Sequence, residues 1–506
     1  MYTRRVRACL PCLIGIALAV APAAAQTAIR KPAVAGQFYP GDPEALRAAI
    51  DAYLVTARPP SAARPIALVA PHAGYVFSGQ IAADAYRQAQ PFEYDTVVIL
   101  GPNHTEPGFD GIALFEGRGF RTPLGVAEID TGLAAALVRA DPDVTWRDRV
   151  HAREHGIEVH VPFVQRLFPS ATILPIVVST LDPARLDRFG RALATVLAGR
   201  AALIVASSDL SHYPAAADAR RIDRATLDAV ASLDPAAVRR TVAAARHSGV
   251  AELVTGACGE APILAALAAV RAMGAARARI VSYANSADSP AGEPTRVVGY
   301  GAVAIAGGDQ PDAAAVDGVS VGDEDGPLTD DDRRALVAYA RATIERYVRT
   351  GTAPLARDAP AGLQRRQAAF VSIKKGGALR GCIGRLVPDG PLYWLVGSVA
   401  LQAATEDPRF GPVRSRELDA IEVEVALLSP PRRVASAADI LPGRDGVVLV
   451  KEGKSAVFLP EVAVEEGWTR EEMLDQLSLK AGLRKGAWRE GARLFVFQTE
   501  VIKEDR

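Results

Sequence analysis

Four short polar motifs hold most of the residues able to do chemistry. Pro71-His72-Ala73-Gly74-Tyr75, Gly101-Pro102-Asn103-His104 and Ser207-Ser208-Asp209-Leu210-Ser211-His212 each follow an apolar run with strand character, and Thr255-Gly256-Ala257-Cys258-Gly259-Glu260 leads into a segment of helical period. In an open α/β sheet the carboxyl ends of the strands form one rim, so side chains distant in sequence converge there and line a crevice. Three of the seven histidines occupy this rim. A thiol just ahead of a helix N-terminus is biased toward thiolate by the positive end of the dipole. A thiolate with two neutral imidazoles is a good divalent-metal set that leaves positions open for water, oxygen or substrate, and ligand type alone does not separate iron, copper and zinc. Singly, each residue also has a structural explanation, since an imidazole after a strand can hold a loop and a cysteine can be a small buried hydrophobe. Four polar motifs at equivalent positions argue instead for one shared site.

The elements that must position these residues are legible as a rhythm. Ile66-Ala70, Thr96-Leu100, Ile173-Ser179, Leu203-Ala206 and Val297-Ala306 read as strands, with helices near Arg185-Leu197, Ile222-Ser232, Ala236-Ala245 and Pro262-Met273. That alternation predicts an α/β fold with an open, largely parallel sheet and flanking helices. The stretch GGDQPDAAAVDGVSVGDEDG is acidic, glycine-rich and without apolar period, so residues 307–327 read as a linker between domains spanning 26–306 and 328–506. The second domain opens with a helix capped by Thr329 and carrying Asp330 to Asp332 at its positive end. Strict alternation in Ile421-Glu422-Val423-Glu424-Val425, a hairpin over Val447-Val450 and Ala456-Leu459, and a capping box at Thr469 and Glu472 predict a smaller α+β unit.

Composition narrows the function classes. With 506 residues, and 58 lysines and arginines against 58 aspartates and glutamates, the chain is long enough for several cores and gives no electrostatic case for a nucleic-acid partner. Arg4, Arg5 and Arg7, the apolar stretch Leu13 to Val20 and Ala23-Ala24-Ala25 form an export signal over residues 1–25, which predicts a periplasmic mature chain beginning near Gln26. The apolar stretch is shorter than the roughly 20 residues of a spanning helix, and no membrane span is expected after cleavage.

Taken together, PHAGYVFSG with His72, LGPNH with His104, ASSDLSHY with Asp209 and His212, and GACG with Cys258 resemble the motif series of the Memo family, whose fold is similar to that of LigB-type class III extradiol dioxygenases. The resemblance implies His72, His104 and Cys258 as ligands of iron or copper and His212 as acid/base. Asp209 either orients His212 or a metal-bound water, or caps its turn. The extradiol enzymes use a carboxylate where Cys258 stands, and a softer, oxidisable thiolate argues against ordinary catechol cleavage. His151 to His160 resembles the family's EHSIE-type stretch and places Glu154 and His155 near the crevice, where they, with Tyr75 and Asn103 beside the proposed ligands, are candidates to contact substrate or orient a ligand. His160 reads as a packing residue and His247 as a solvated or capping one.

Leu379-Arg380-Gly381-Cys382-Ile383-Gly384 and the later Glu406-Asp407-Pro408-Arg409-Phe410 resemble AMMECR domains, with Arg380 and Cys382 forming either a small polar pocket or a strand turn around a buried thiol. Memo-like and AMMECR-like proteins are paired with a radical-SAM protein in the AmmeMemoRadiSam system, which implies such a partner here. The leading expectation is a metal-dependent oxidoreductase acting on an unidentified small molecule or peptide. The alternatives are a non-catalytic peptide- or small-ligand-binding adaptor and a copper- or iron-handling protein.

Overall fold

The computed structural model describes residues 28–307 and 328–504, apart from residue 62, residues 356–358 and 389–390, and residue 453. The expected leader and all of the expected linker after Gly307 lie outside the described residues.

The first domain is built on an eight-stranded sheet. Its strands in chain order are β1 (Pro65–Ala70), β2 (Thr96–Gly101), β3 (Ile112–Leu114), β4 (Val144–Trp146), β5 (Thr172–Val178), β6 (Ala202–Ser207), β7 (Ala275–Asn285) and β8 (Gly299–Gly307), arranged β7-β8-β1-β6-β2-β5-β3-β4. The four middle strands β1, β6, β2 and β5 run parallel. Their near-continuous apolar sequences follow from burial on both faces. Alternate residues feed opposite cores: Leu68, Val97, Ile99, Leu203 and Val205 face one, and Val69, Val98, Leu100, Ile204 and Ala206 the other. The edges depart from the parallel pattern, because β8 pairs antiparallel with β1 and with β7, and β3 pairs antiparallel with β5.

The helix Tyr75–Ala89 covers one face, and the helices Pro183–Leu197 and Glu260–Ala272 the other. The last two meet closely at Gly190, where an added Cβ would lie 2.5 Å from the Ala268 Cβ and 2.6 Å from its carbonyl carbon. Gly190→Val is therefore expected to destabilise the domain by about 1–3 kcal/mol through overpacking. An unchanged urea midpoint would contradict this tight approach.

In the second domain the helix Asp330–Thr350 begins with a capping box between Thr329 and Asp332 and buries Leu336, Tyr339, Ala340 and Ile344. It packs on an antiparallel sheet of Ala378–Arg385, Ala369–Lys375, Ile421–Leu428 and Thr499–Lys503. A second four-stranded antiparallel sheet contains the expected hairpin, Gly446–Lys451 with Lys454–Phe458, and packs with the helix Arg470–Lys480, itself started by a Thr469–Glu472 capping box. The two domains touch where the Trp394 indole N–H donates to the Ser289 carbonyl at 3.1 Å and the Arg346 guanidinium lies 4.3 Å from the Tyr53 ring centroid. Among the described residues no helix is long and apolar enough to cross a membrane.

Candidate metal centre

The parallel pairing of β1, β6 and β2 sets Ala70 beside Ser207 and Leu100 beside Ala206, so the three segments that follow these strands leave the sheet on one rim. His72, His104 and Asp209 are thereby gathered although 137 residues separate the first from the last. The fourth segment is pinned to the same rim: the Cys258 N–H donates to the Asp209 carbonyl at 3.2 Å and the Gly259 N–H to Ser208 Oγ at 3.0 Å. Residue 259 must be glycine for this approach, since a Cβ there would stand 2.2 Å from the Ser207 carbonyl oxygen.

His72 is the hub. Its ring is 2 % exposed, with Nδ1 2.7 Å from Ser207 Oγ and Nε2 3.2 Å from Cys258 Sγ. Asp209 Oδ1 accepts from the His72 N–H at 2.8 Å and the Ala73 N–H at 3.3 Å, while Oδ2 lies 3.9 Å from His72 Nε2. The His72 and His104 rings meet edge to face at 5.1 Å, and His155 stacks on His104 at 4.5 Å. One donor atom from each of His72, His104 and His155 lies within 4.8 Å of the others, and the same holds for His72, Asp209 and Cys258. His104 and Cys258, both expected as ligands, thus belong to two overlapping donor groups that share His72.

Glu154 orients His104. Its carboxylate accepts from the His104 N–H at 2.7 Å, from His104 Nδ1 at 2.9 Å and from the Gly156 N–H at 2.8 Å, which leaves His104 Nε2 as the remaining ring donor atom. Burial pulls the His104 pKa down, but the hydrogen bond and charge of Glu154 outweigh it and leave the ring above its usual value. Burial raises the Glu154 carboxyl, and the hydrogen bond and charge of His104 more than reverse that. Burial and the neighbouring imidazoles hold His72 well below the usual histidine range. Burial lifts Asp209 despite the opposing charge of His212. The Cys258 thiol departs from the dipole argument: the helix beyond Gly259 begins at Glu260, yet burial and the charge of Asp209 push the thiol well up.

Other sequence candidates are placed as follows. The Tyr75 hydroxyl is buried and donates to the Val159 carbonyl at 2.7 Å, because Tyr75 opens a helix whose first turn faces the core. Asn103 holds its own loop, its Oδ1 accepting from the Thr105 and Glu106 N–H groups and its Nδ2 donating to the Glu106 carbonyl at 2.9 Å. His212 Nδ1 lies 3.1 Å from the Leu210 carbonyl, and its backbone bridges to Val298. His247 sits at a helix C-terminus with Nδ1 2.8 Å from the Ala243 carbonyl. His160, read from sequence as packing, has Nε2 3.0 Å from Ser207 Oγ. Ser207 and Gly156 were not singled out by sequence; the signal for Ser207 was its place as the last residue of a strand running into a polar rim.

Three histidines of this region give an acid-sensitivity test. Burial lowers His151 to about 4, burial with the charge of His104 lowers His155 to about 4, and burial lowers His160 to about 3. In the unfolded chain each protonates near pH 6.5, so the unfolded state binds more protons below that value. Stability is therefore fully present above about pH 6.5 and falls as pH drops toward 4, on the order of 1.4 kcal/mol per pH unit for each group. Urea midpoints that stay level from pH 7 to pH 5 would contradict this.

In the second domain the LRGCIG segment lies on the sheet-edge strand Ala378–Arg385 and the EDPRF segment folds over it. Asp407 Oδ2 accepts from the Cys382 N–H at 2.8 Å, and Arg409 pairs with Asp407 and donates to the Cys382 carbonyl at 3.2 Å. The Cys382 thiol accepts from Ser372 Oγ at 3.3 Å and is raised by burial. Arg380 forks onto Glu417, whose carboxyl is held at about 2 by that hydrogen bond. Cys258 and Cys382 are both free thiols.

Fold and site together define an α/β protein with an imidazole–thiol cluster at the carboxyl ends of its parallel strands, joined to a smaller α+β domain. Residues 30–304 match the family model of Memo-like protein and residues 337–502 that of AMMECR1. The chain belongs to the Memo-like family and carries an AMMECR1 domain fused after it. It is 38% identical over 290 residues to a MEMO1 family protein, MK0963, of Methanopyrus kandleri, covering 54% of this chain and 98% of that one. It is 37% identical over 276 residues to a MEMO1 family protein of Aquifex aeolicus, covering 54% and 97%. Among solved structures, uncharacterized protein PH0010 from Pyrococcus horikoshii aligns with a TM-score of 0.33 at 35% identity over 34% of this chain and 92% of that one.

Proposed function

We propose that the chain is a metal-dependent oxidoreductase or redox modification factor whose first domain holds iron or copper through His72, His104 and Cys258. The observation that carries this reading is the arrangement around His72, with Nδ1 held by Ser207 and Nε2 turned to the Cys258 sulfur at 3.2 Å, beside a His104 whose Nδ1 is held by Glu154. Two imidazoles with their outer nitrogens anchored and a thiol beside one of them are donors suited to a soft-to-borderline divalent ion; His104 groups with His72 and His155, and Cys258 with His72 and Asp209. When bound, such an ion supplies one-electron redox chemistry and an open position for substrate. The chain's own residues do the rest. Glu154 keeps His104 oriented, Asp209 ties the His72 and Ala73 backbone to the rim, and His212 is the candidate to hold or deliver a proton at the crevice.

The test is metal analysis and spectroscopy on anaerobically purified protein, with oxygen consumption followed after iron(II) or copper(I) is added. Stoichiometric metal lost in Cys258→Ser, with oxygen-dependent turnover in the parent, is the expected result. Metal that exchanges rapidly without turnover would replace this reading by metal handling. A metal-free, folded crevice would replace it by a peptide- or small-ligand-binding module.

Export is part of the same proposal. The described fold begins at residue 28, so cleavage after Ala25 removes none of it. N-terminal sequencing of the exported, periplasmic chain should read from near Gln26, and a retained leader would refute it. The proposed partner is the radical-SAM protein of the same system, for which co-purification from one compartment is the check.

A further inference from the structure

We propose that Ser207 and Gly156 are positioning residues: a single hydrogen-bonded chain, His72–Ser207–Gly156–Glu154–His104, fixes both rings with their proton on Nδ1, so that each offers Nε2 to the crevice before any ligand arrives. The argument is a count of hydrogens. Ser207, the last residue of β6, is fully buried, and its hydroxyl has three neighbours: the Gly156 carbonyl oxygen at 2.5 Å, His72 Nδ1 at 2.7 Å and His160 Nε2 at 3.0 Å. A hydroxyl owns one hydrogen and two lone pairs, and a carbonyl oxygen only accepts. The Ser207 hydrogen therefore goes to Gly156, since otherwise two lone pairs would face each other at 2.5 Å. Both imidazole nitrogens must then donate to Ser207, which makes His72 the Nδ1–H form and His160 the Nε2–H form.

Two further contacts agree with this assignment. The Nε2 lone pair left on His72 faces the Cys258 thiol at 3.2 Å, nearer to the sulfur than its other acceptor, the Asp209 carbonyl at 3.6 Å. His160 Nδ1, which the count leaves without a hydrogen, is buried and has no hydrogen-bond partner among the described residues. The same residue then reaches the second ring, because the Gly156 N–H donates to Glu154 Oε1 at 2.8 Å, and that oxygen accepts from His104 Nδ1 at 2.9 Å. Gly156 thus accepts from the group that orients His72 and donates to the group that orients His104. A Cβ at residue 156 would lie 3.0 Å from Pro102 Cδ and 3.2 Å from Glu154 Oε1, so a side chain there pushes on the chain at its midpoint.

Use of the two Nε2 atoms for a metal rests on the function proposed above, whereas the proton positions do not. The test is long-range proton–nitrogen correlation on the metal-free, nitrogen-15 histidine-labelled full chain, followed by titration with iron(II) or copper(I). The parent should show His72 as the Nδ1–H form. Ser207→Ala should convert it to a mixture of both forms and weaken metal binding by about 10- to 100-fold. His160→Phe, which leaves the Ser207–His72 bond in place, should keep the Nδ1–H form. An Nε2–H signature for His72 in the parent overturns the inference, and this measurement needs no variant to fold. So does a Ser207→Ala protein with unchanged ring signature and affinity, or an equal change in both variants. Parent protein that shows the stated ring form yet binds neither metal refutes the function and leaves this assignment standing.

Discussion

His72→Ala is expected to abolish stoichiometric iron or copper binding, with apparent affinity falling by more than about 100-fold, a loss beyond what removing an orienting partner causes. His72 is the one residue common to both donor groups, so its loss leaves His104 with His155 on one side and Asp209 with Cys258 on the other. His155→Ala, which removes a member of only one group, should lose less. Metal titration on both variants, with hydrogen exchange to confirm that the sheet persists, reads the difference; a His72→Ala protein with parental stoichiometry would rule the site out. The pH dependence has a definite sign. Glu154 holds the His104 pKa above its usual value, and a protonated ring cannot ligate, so uptake weakens as pH falls through that raised value. Glu154→Gln removes the charge that stabilises the protonated ring, and should move this acid limb to lower pH while weakening uptake at neutral pH.

Arg30→Met is expected to destabilise the first domain by about 3–5 kcal/mol, because it leaves a fully buried carboxylate without its cation. The side chains of Arg30 and Glu158 are 3 % and 1 % exposed and pair directly. Arg30 also donates to the His151 carbonyl at 2.8 Å and the Glu154 carbonyl at 2.6 Å, and Glu158 accepts from the Ala33 N–H at 2.7 Å, the Val34 N–H at 3.0 Å and the Tyr39 hydroxyl at 2.6 Å. This network ties the chain's first described residues to the segment that carries Glu154 and Gly156. A loss of that size is about a third to a half of the stability of an ordinary domain of about 10 kcal/mol. The double variant Arg30→Met/Glu158→Gln should recover part of it by removing the uncompensated charge. A single-variant unfolding free energy within about 0.5 kcal/mol of the parent, the ordinary range for a surface change, would refute this role for the pair.

How much of this was legible beforehand differs from residue to residue. The spans of β1, β2, β5 and β6 follow from apolar runs bounded by polar and glycine residues, because a strand buried on both faces admits little else. The helix starts at Thr329 and Thr469 follow from capping boxes, whose contacts are three residues apart. The antiparallel direction of β8 was not legible, since apolar content carries no information about the direction of the neighbouring strand. Tyr75 and Asn103 stand beside expected ligands in sequence, and the contacts they make, the Tyr75 hydroxyl to the Val159 carbonyl and the Asn103 amide to the Glu106 carbonyl, are set by the turn into a helix and by the loop's own fold.

Strand length, alternation and capping are local interactions, and they suffice to mark the sheet-forming segments and to bring His72, His104 and Asp209 out at the rim of the sheet. Long-range packing is what brings Cys258 to His72 from 186 residues away, makes Glu154 rather than a nearer group orient His104, and joins the two rings through Ser207 and Gly156. Those contacts depend on how each crossover returns to the sheet and on distances of a few tenths of an ångström. No spacing along the chain encodes such distances; close packing of the whole domain does.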